Sequence, residues 1–498
     1  MKQSGHLSLR HVGLAIAACM LARQANSQEE GFSTVERRNV VLIVADDHGC
    51  DTGAYGNEDV RTPHLDALAA EGTRFTHAFA TTASCSASRS VILTGWHNHR
   101  TGQYGHQHAF HHFQSFGHVR SLPALLGAAG YHTVRVGKYH LAPEEVYPFE
   151  TVIQAPSRNP VEMAERCSEV IKAEDGRPFF LYFATSDPHR GGKPGGFNLS
   201  PEVPDSFGNR DGFPYPGVEI QKYEPTGLKV PPWLPASDAT RAELAQYYQS
   251  VSRVDQGVGR LMKLLHEAGR DEDTLLLYLS DHGAAFAGAK TTVYEPGLRS
   301  PLIVRKPGAQ SGVVQDALVS WVDITPTILD WAGVPEPTWK GAERQPAAAR
   351  GEDSLHGRSF LTIVGHAEAE GWDEVYASHT FHEITMYYPM RVLRERRYKL
   401  IWNLAHGLPY PFASDLWISS TWQQSYQAGM DAPYGLRTVQ DYIHRPKYEL
   451  YDLQEDPWEA HNLAEDPAHA QTLERMIEKL HRWQRQSSDP WKVKQIYE

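Results

Sequence analysis

Two acid-rich tips dominate the sequence: Asp46-Asp47 closes NVVLIVADDHG, and Asp281-His282 closes DTLLLYLSDHG. Adjacent carboxylates repel unless a cation lies between them. Asp46, Asp47 and Asp281 together suit one divalent metal, because carboxylate oxygens are the natural ligands of Ca²⁺ and Mg²⁺. The imidazole of His282 leans the set towards a transition metal. The plainer alternative is that Asp46-Asp47 caps the loop that follows. Two further apolar runs end in the same way, VRVGKYH in Lys138 and His140, and PFFLYFATSDPH in Asp187 and His189. Cys85 stands in TTASCSASRSVILTG between Ser84 and Ser86 and ahead of Arg89. The chain has 4 cysteines, and Cys19 falls in the N-terminal leader. Cys50, Cys85 and Cys167 are an odd set, so at least one thiol is free or modified, and no spacing matches a zinc site.

The elements that must position these residues read as α/β. Continuous β-branched runs mark strands covered on both faces. Between them lie amphipathic stretches such as TPHLDALAAEG and ATRAELAQYYQSVSRVDQGVGRLMKLLHEAG. Such alternation predicts a large, mostly parallel sheet flanked by helices. Ligands of such sheets bind outside the carboxyl ends of the strands, where the four polar tips would gather. Any single Asp or His after a strand is an ordinary turn residue; four charged or imidazole tips on one edge are harder to explain that way. The net charge is −12, without a long basic run. That argues against a general nucleic-acid binder. It also requires local cations to capture any anionic substrate.

Residues 1–27 read as an export signal: Lys2, Arg10 and His11, the apolar run Val12 to Ala22, then Ala25-Asn26-Ser27 as a cleavage site. The run is too short for a membrane span. Periplasmic or secreted location follows, with lipidation at Cys19, in Ile16-Ala17-Ala18-Cys19, as the alternative. Residues 28–365 are expected to form the catalytic domain. The Pro-, Ala- and Gly-rich stretch Glu336 to Gly357 looks like a connector, and 366–498 like a smaller C-terminal α+β domain. DEVYASHTFHEITMYYPMRVLRERRYKLIWNL should supply its antiparallel strands, and LERMIEKLHRWQRQ an amphipathic helix.

Cys85-Ser86-Ala87-Ser88-Arg89 and the following Leu93-Thr94-Gly95 resemble the type I sulfatase signature, Cys-x-Pro-Ser-Arg with a closing Leu-Thr-Gly. VADDHG, VGKYH, SDPHR, SDHG, VDITPTILDWAG and YELYDLQEDPWEAHNL extend the resemblance, in order, along the whole chain after the leader. HHFQSFGHVRSLPALL, FHEITMYYPMR and HRPKYELYDLQEDPWEAHNLAEDP resemble the heparan N-sulfatase (N-sulfoglucosamine sulfohydrolase, sulfamidase) branch.

The resemblance implies the alkaline-phosphatase-like sulfatase fold. It also implies that a maturation enzyme oxidises Cys85 to formylglycine (3-oxoalanine). Its hydrated aldehyde offers one hydroxyl to attack sulfur and a second whose deprotonation releases the sulfate. Asp46, Asp47, Asp281 and His282, with the modified Cys85, would hold a divalent metal, Ca²⁺ in preference to Mg²⁺ or Mn²⁺. Arg89 would orient the diol, Lys138 and Lys290 bind sulfate, His140 act as base and His189 as acid. Asp187, Arg190, His382, Glu383, Tyr388 and Arg391 are the expected substrate contacts. The implied substrate is a sulfated saccharide, most simply the N-sulfate of a non-reducing-end glucosamine in heparan degradation. The implied assembly is open, with a homodimer as one form. Three residues depart from the pattern: Ala87 replaces proline, His282 the usual Asn, and Lys290 the sulfamidase Arg. His282 keeps a phosphonate or phosphodiester hydrolase in view, and an O-sulfatase on another glycan is the nearer alternative. A glycan-binding protein with an unmodified Cys85 is the non-catalytic one.

Overall fold

The computed structural model describes residues 1, 38–191, 205–210, 212, 215–337 and 354–493. The chain divides into Met1–Arg37 and Arg38–Glu498. The expected leader, with Cys19, lies outside the described residues apart from Met1, as do residues 338–353 of the expected connector.

The larger sheet has eight strands: β1 (Asn39–Ala45), β2 (Thr73–Phe79), β3 (His132–Gly137), β4 (Thr151–Ile153), β5 (Phe179–Ala184), β6 (Thr274–Ser280), β7 (Leu302–Arg305) and β8 (Val313–Ser320). Their spatial order is β4-β3-β5-β1-β6-β7-β2-β8. All neighbours are parallel except β7, which runs against β6 and β2.

The apolar run of β1 splits by alternation. Val41 and Ile43 pack with Val254, Val258 and Leu261 of the helix Asp238–Glu267. Val40, Leu42 and Val44 pack with Leu122, Leu126, Ile324 and Ile328 on the opposite side. Period-2 geometry sends successive side chains to opposite faces, so a strand with helices on both sides must be apolar throughout. Each such side chain contributes about 1.5–3 kcal/mol by its burial.

A second sheet is antiparallel, in the order β14 (Tyr448–Asp452), β11 (Tyr398–Asn403), β10 (Met390–Glu395), β9 (Glu374–His379). The short strands β12 (Pro433–Tyr434) and β13 (Arg437–Thr438) pair separately. One face of the second sheet packs on the helix Ala470–Gln486 through Leu393, Leu400, Trp402, Met476 and Leu480. Its other face shares a core with Phe79, Phe286 and Tyr294 of the larger body. That shared core presses the β9–β10 end of the chain against the tips of the large sheet. Among the described residues no helix is long and apolar enough to cross a membrane.

Candidate active site

Four adjacent parallel strands, β3, β5, β1 and β6, end side by side. They deliver Lys138, His189, Asp46-Asp47 and Asp281-His282 to one edge. Asp47 has φ 62°, in the left-handed region. An aspartate tolerates this conformation better than most residues, and such backbone clusters at functional sites. The backbone N–H of Asp47 donates to Oδ1 of Asp281 at 3.1 Å, tying the two tips together. Gly283 is required next, since a Cβ there would collide with the Pro296 carbonyl.

The helix Cys85–Ile92 brings its N-terminus to these tips. Cys85 and Arg89 are one turn apart and therefore share a face. Cys85 Sγ lies 3.7 Å from Asp47 Oδ1 and 3.4 Å from His282 Nε2. Arg89 bridges Asp281 Oδ2 at 3.0 Å and Asp46 Oδ1 at 3.3 Å. Lys138 Nζ meets Asp46 Oδ2 at 2.5 Å. Lys290 Nζ is held by Asp47 Oδ2 at 2.9 Å, His189 Nε2 at 2.9 Å and Asp415 Oδ2 at 2.7 Å. Ser88 Oγ and Trp321 Nε1 both donate to the Asp281 carbonyl, fixing the β6 tip.

The charges decide what this cluster can hold. Burial works to raise the carboxyl of Asp46, but Lys138, His189 and Arg89 keep it well below the usual range. Asp47 is also lowered: burial is the largest single influence and works to raise it, but Lys290, His189 and His282 together outweigh burial and Asp46. Asp281 goes the other way: burial pushes it up in spite of His282 and Arg89. Arg89, Lys138 and Lys290 balance the three carboxylates in number, but burial and the mutual repulsion of the acids still raise Asp281. Asp47, Cys85 and His282 offer ligand atoms within 4.8 Å of one another, as do Asp46, Cys85 and Asp281. This oxygen-rich set with one imidazole fits a divalent cation. Burial, then Lys290, lowers the pKa of His189. As placed, its Nε2 faces the Lys290 ammonium, a donor, while Nδ1 faces the Arg190 carbonyl at 2.8 Å. Burial and the nearby Lys138 lower His140 further, and the ring turns its Nε2 to His108 Nδ1 at 2.5 Å.

The expected substrate contacts divide. His382 is buried beside the Cys85 helix, its Nδ1 3.0 Å from Ser84 Oγ and its Nε2 2.8 Å from His106 Nε2. Glu383 is partly exposed at the rim and accepts from the backbone and hydroxyl of Ser414. The other four do not face the cleft. Asp187 is buried between Arg158 and Arg253 at 2.7 and 2.6 Å. Arg190 forks onto Glu243 and Arg391 onto Asp489, each pair enclosed. Tyr388 is buried against Tyr410. Internal ion pairing has already used these charges, and removing one partner of such a pair typically costs about 3–5 kcal/mol.

Asp415 has no signal in FASDLW, yet it is the closest anion to Lys290, which pushes its carboxyl down to about 2 against the pull of burial. Asp415→Ala is expected to lower kcat/KM about 10- to 100-fold without removing any metal ligand, because it frees Lys290 to collapse onto Asp47. Asp415→Asn should recover part of the loss, and metal content should remain that of the wild type in both variants.

The comparisons with known proteins agree with one another. A family model described as "Sulfatase" matches residues 38–334, and one described as "N-sulphoglucosamine sulphohydrolase, C-terminal" matches residues 285–407. The chain is 39% identical over 482 residues to human N-sulphoglucosamine sulphohydrolase, covering 93% of this chain and 92% of that one. It is 27% identical to an ulvan-active sulfatase of Formosa agariphila, covering 98% and 89%. Two solved structures share the fold. One is BT4656 in complex with its substrate D-glucosamine-2-N,6-O-disulfate (TM-score 0.61, 20% identity, 91% and 99% covered). The other is a phosphonate monoester hydrolase from Silicibacter pomeroyi (TM-score 0.60, 19% identity, 91% and 96% covered).

Proposed function

The chain belongs to the sulfatase family, and from that premise we propose that it removes the N-sulfate from a terminal glucosamine of a heparan-type saccharide. The observation that carries the choice of substrate is the extent of the likeness: 39% identity to the human sulphohydrolase runs through 93% of the chain. It therefore takes in the second sheet as well as the reactive centre. The reaction, R–NH–SO₃⁻ plus water giving R–NH₃⁺ and SO₄²⁻, needs an anion to be held, a nucleophile to be positioned and a poor leaving amine to be protonated.

The surroundings of Cys85 suit each need. Lys138, Lys290 and Arg89 supply three cations, and the N-terminus of the Cys85–Ile92 helix adds its partial positive charge. Together they offset the repulsion between an anionic group and a chain of net charge −12. A divalent cation held by Asp46, Asp47, Asp281 and His282 would supply Lewis-acid charge at the sulfate oxygens. Formylglycine made from Cys85 would supply the attacking oxygen. Arg89, fixed by Asp46 and Asp281, orients residue 85 from one turn away. His189 protonates the departing nitrogen: an anion in the pocket reverses the local field that Lys290 imposes and raises the imidazole's affinity for a proton. His140, kept neutral by burial and Lys138 with its Nε2 shared with His108 at 2.5 Å, is the assigned base.

A substrate panel tests the reading. Purified enzyme should turn over N-sulfoglucosamine with kcat/KM about 100-fold or more above that for glucosamine 6-O-sulfate. Preference for the 6-O-sulfate would convert the assignment to an O-sulfatase. Turnover of an aryl phosphonate without any sulfate would overturn it.

A further inference from the structure

Beside the reactive centre, five histidines crowd one corner: His106, His108, His111, His140 and His382. His106, His108 and His140 each present a ring nitrogen, and the three nitrogens lie within 4.8 Å of one another. The ring centroids of these three are 4.6 to 4.8 Å apart. Two observations set the cluster apart from a packed aromatic corner. His106 faces His382 Nε2 through its own Nε2, which leaves its Nδ1 buried and without a partner among the described residues. The Nδ1 of His140 is likewise buried and unpaired. A buried polar atom without a partner costs about 1–3 kcal/mol, so the two nitrogens are kept in the corner at a penalty. His382 Nε2 can accept a hydrogen bond from the Nε2–H of His106 while its Nδ1 meets Ser84 Oγ. Ligating imidazoles are commonly oriented in this way.

We propose that His106, His108 and His140 form a second metal site, one that takes Zn²⁺ and, by occupying His140, stops turnover. The donor set is three imidazoles and no carboxylate, which suits Zn²⁺ and not the oxygen-seeking Ca²⁺ or Mg²⁺. At Zn–N distances of about 2.0–2.1 Å, tetrahedral ligand atoms stand about 3.3 Å apart, a spacing that nitrogens within 4.8 Å of one another reach by small movements of the rings. His108 is exposed and gives the ion a way in. The neighbouring Lys138 charge opposes a cation here as it opposes a proton on His140, and Asp46, at 2.5 Å from Lys138, offsets only part of it. A zinc bound here claims the lone pair that His140 needs as a base. That consequence for turnover rests on the role given to His140 above; the metal site does not.

Calorimetric titration of Zn²⁺ into the full-length, Ca²⁺-loaded protein tests it. The wild type should bind one Zn²⁺ beyond the calcium site, and Co²⁺ in its place should give the visible absorption of a tetrahedral nitrogen site. His108→Ala should weaken that binding about tenfold or more and remove the Co²⁺ band. Zinc should inhibit wild-type turnover with the same constant as it binds. Equal Zn²⁺ affinity in wild type and His108→Ala, or no such binding in either, overturns the site. Zinc bound with turnover unchanged overturns the inhibition. Loss of binding in His108→Ala alongside a protein inactive on N-sulfoglucosamine would keep the metal site and sink the catalytic reading, so the two can fail separately.

Discussion

Cys85→Ala is expected to lower kcat on N-sulfoglucosamine by about 10⁵-fold or more, on the scale seen when an enzyme loses its nucleophile. Burial pushes the Cys85 thiol well above its ordinary pKa, and the flanking Asp46 and Asp47 add to the push although Lys138 and Lys290 oppose it. A thiol held protonated is a poor nucleophile. The side chain as translated is therefore unsuited to the work its position calls for, and unconverted protein should be as inactive as the alanine variant. Peptide mass spectrometry separates the forms, because conversion to the aldehyde removes about 18 Da. The variant should keep its fold, since trimming one buried sulfur costs about 1 kcal/mol. It should also keep its sulfate affinity, because Lys138, Lys290 and Arg89 remain in place. Substantial turnover by Cys85→Ala, or by protein whose residue 85 is wholly thiol, would remove residue 85 from the chemistry.

Legibility in the sequence followed the physics of burial. Strands such as β1 and β6 are buried at every residue. Their apolar runs therefore stop abruptly where the chain leaves the sheet, and the stop marks the site. Parallel pairing then puts those stops on one edge without further information. The cluster of Asp46, Asp47, Asp281, His282, Cys85, Arg89 and Lys138 could be assembled on those grounds together with the signature around Cys85. Asp415 could not. It reaches Lys290 from the one-turn helix Ser414–Trp417 in the C-terminal part of the chain, and nothing in so short a segment encodes a contact with a distant lysine. His106 and His108 were hidden for the opposite reason: in a chain with 26 histidines, a histidine-rich loop carries no distinction until folding shows which rings converge. Arg190 and Arg391 illustrate a third limit. A sequence shows that an arginine is present near a motif, but not that a buried Glu243 or Asp489 has already claimed its guanidinium.

Asp47→Ala should be the most damaging change that leaves Cys85 in place, lowering kcat by about 10³- to 10⁴-fold. The figure corresponds to several kcal/mol of lost charge stabilisation at the metal, at 1.36 kcal/mol per tenfold. Asp47 is the hub of the cluster. One of its oxygens lies 3.7 Å from Cys85 Sγ and 3.2 Å from His282 Nε2. The other holds Lys290 at 2.9 Å and stands 3.8 Å from His189 Nε2. Its loss would remove one of the proposed ligands and leave Lys290 to Asp415 and His189, so both the proposed cation and the ammonium assigned to sulfate would move. Two measurements distinguish metal loss from general damage. Elemental analysis should find about one divalent ion per wild-type chain and much less in the variant. Chelation should destabilise the wild type, by about 2.7 kcal/mol where the free ion had stood at 100 times its Kd, and leave the variant's unfolding midpoint unmoved. The variant's metal-free form should be less stable than the metal-free wild type, because Asp47 is a buried partner of Lys290 and its surroundings hold its carboxyl below the usual range, and relief of the repulsion that helps raise Asp281 offsets only part of that. An Asp47→Ala enzyme that keeps its metal and its turnover would mean that the cation, and the sulfate it serves, sit elsewhere.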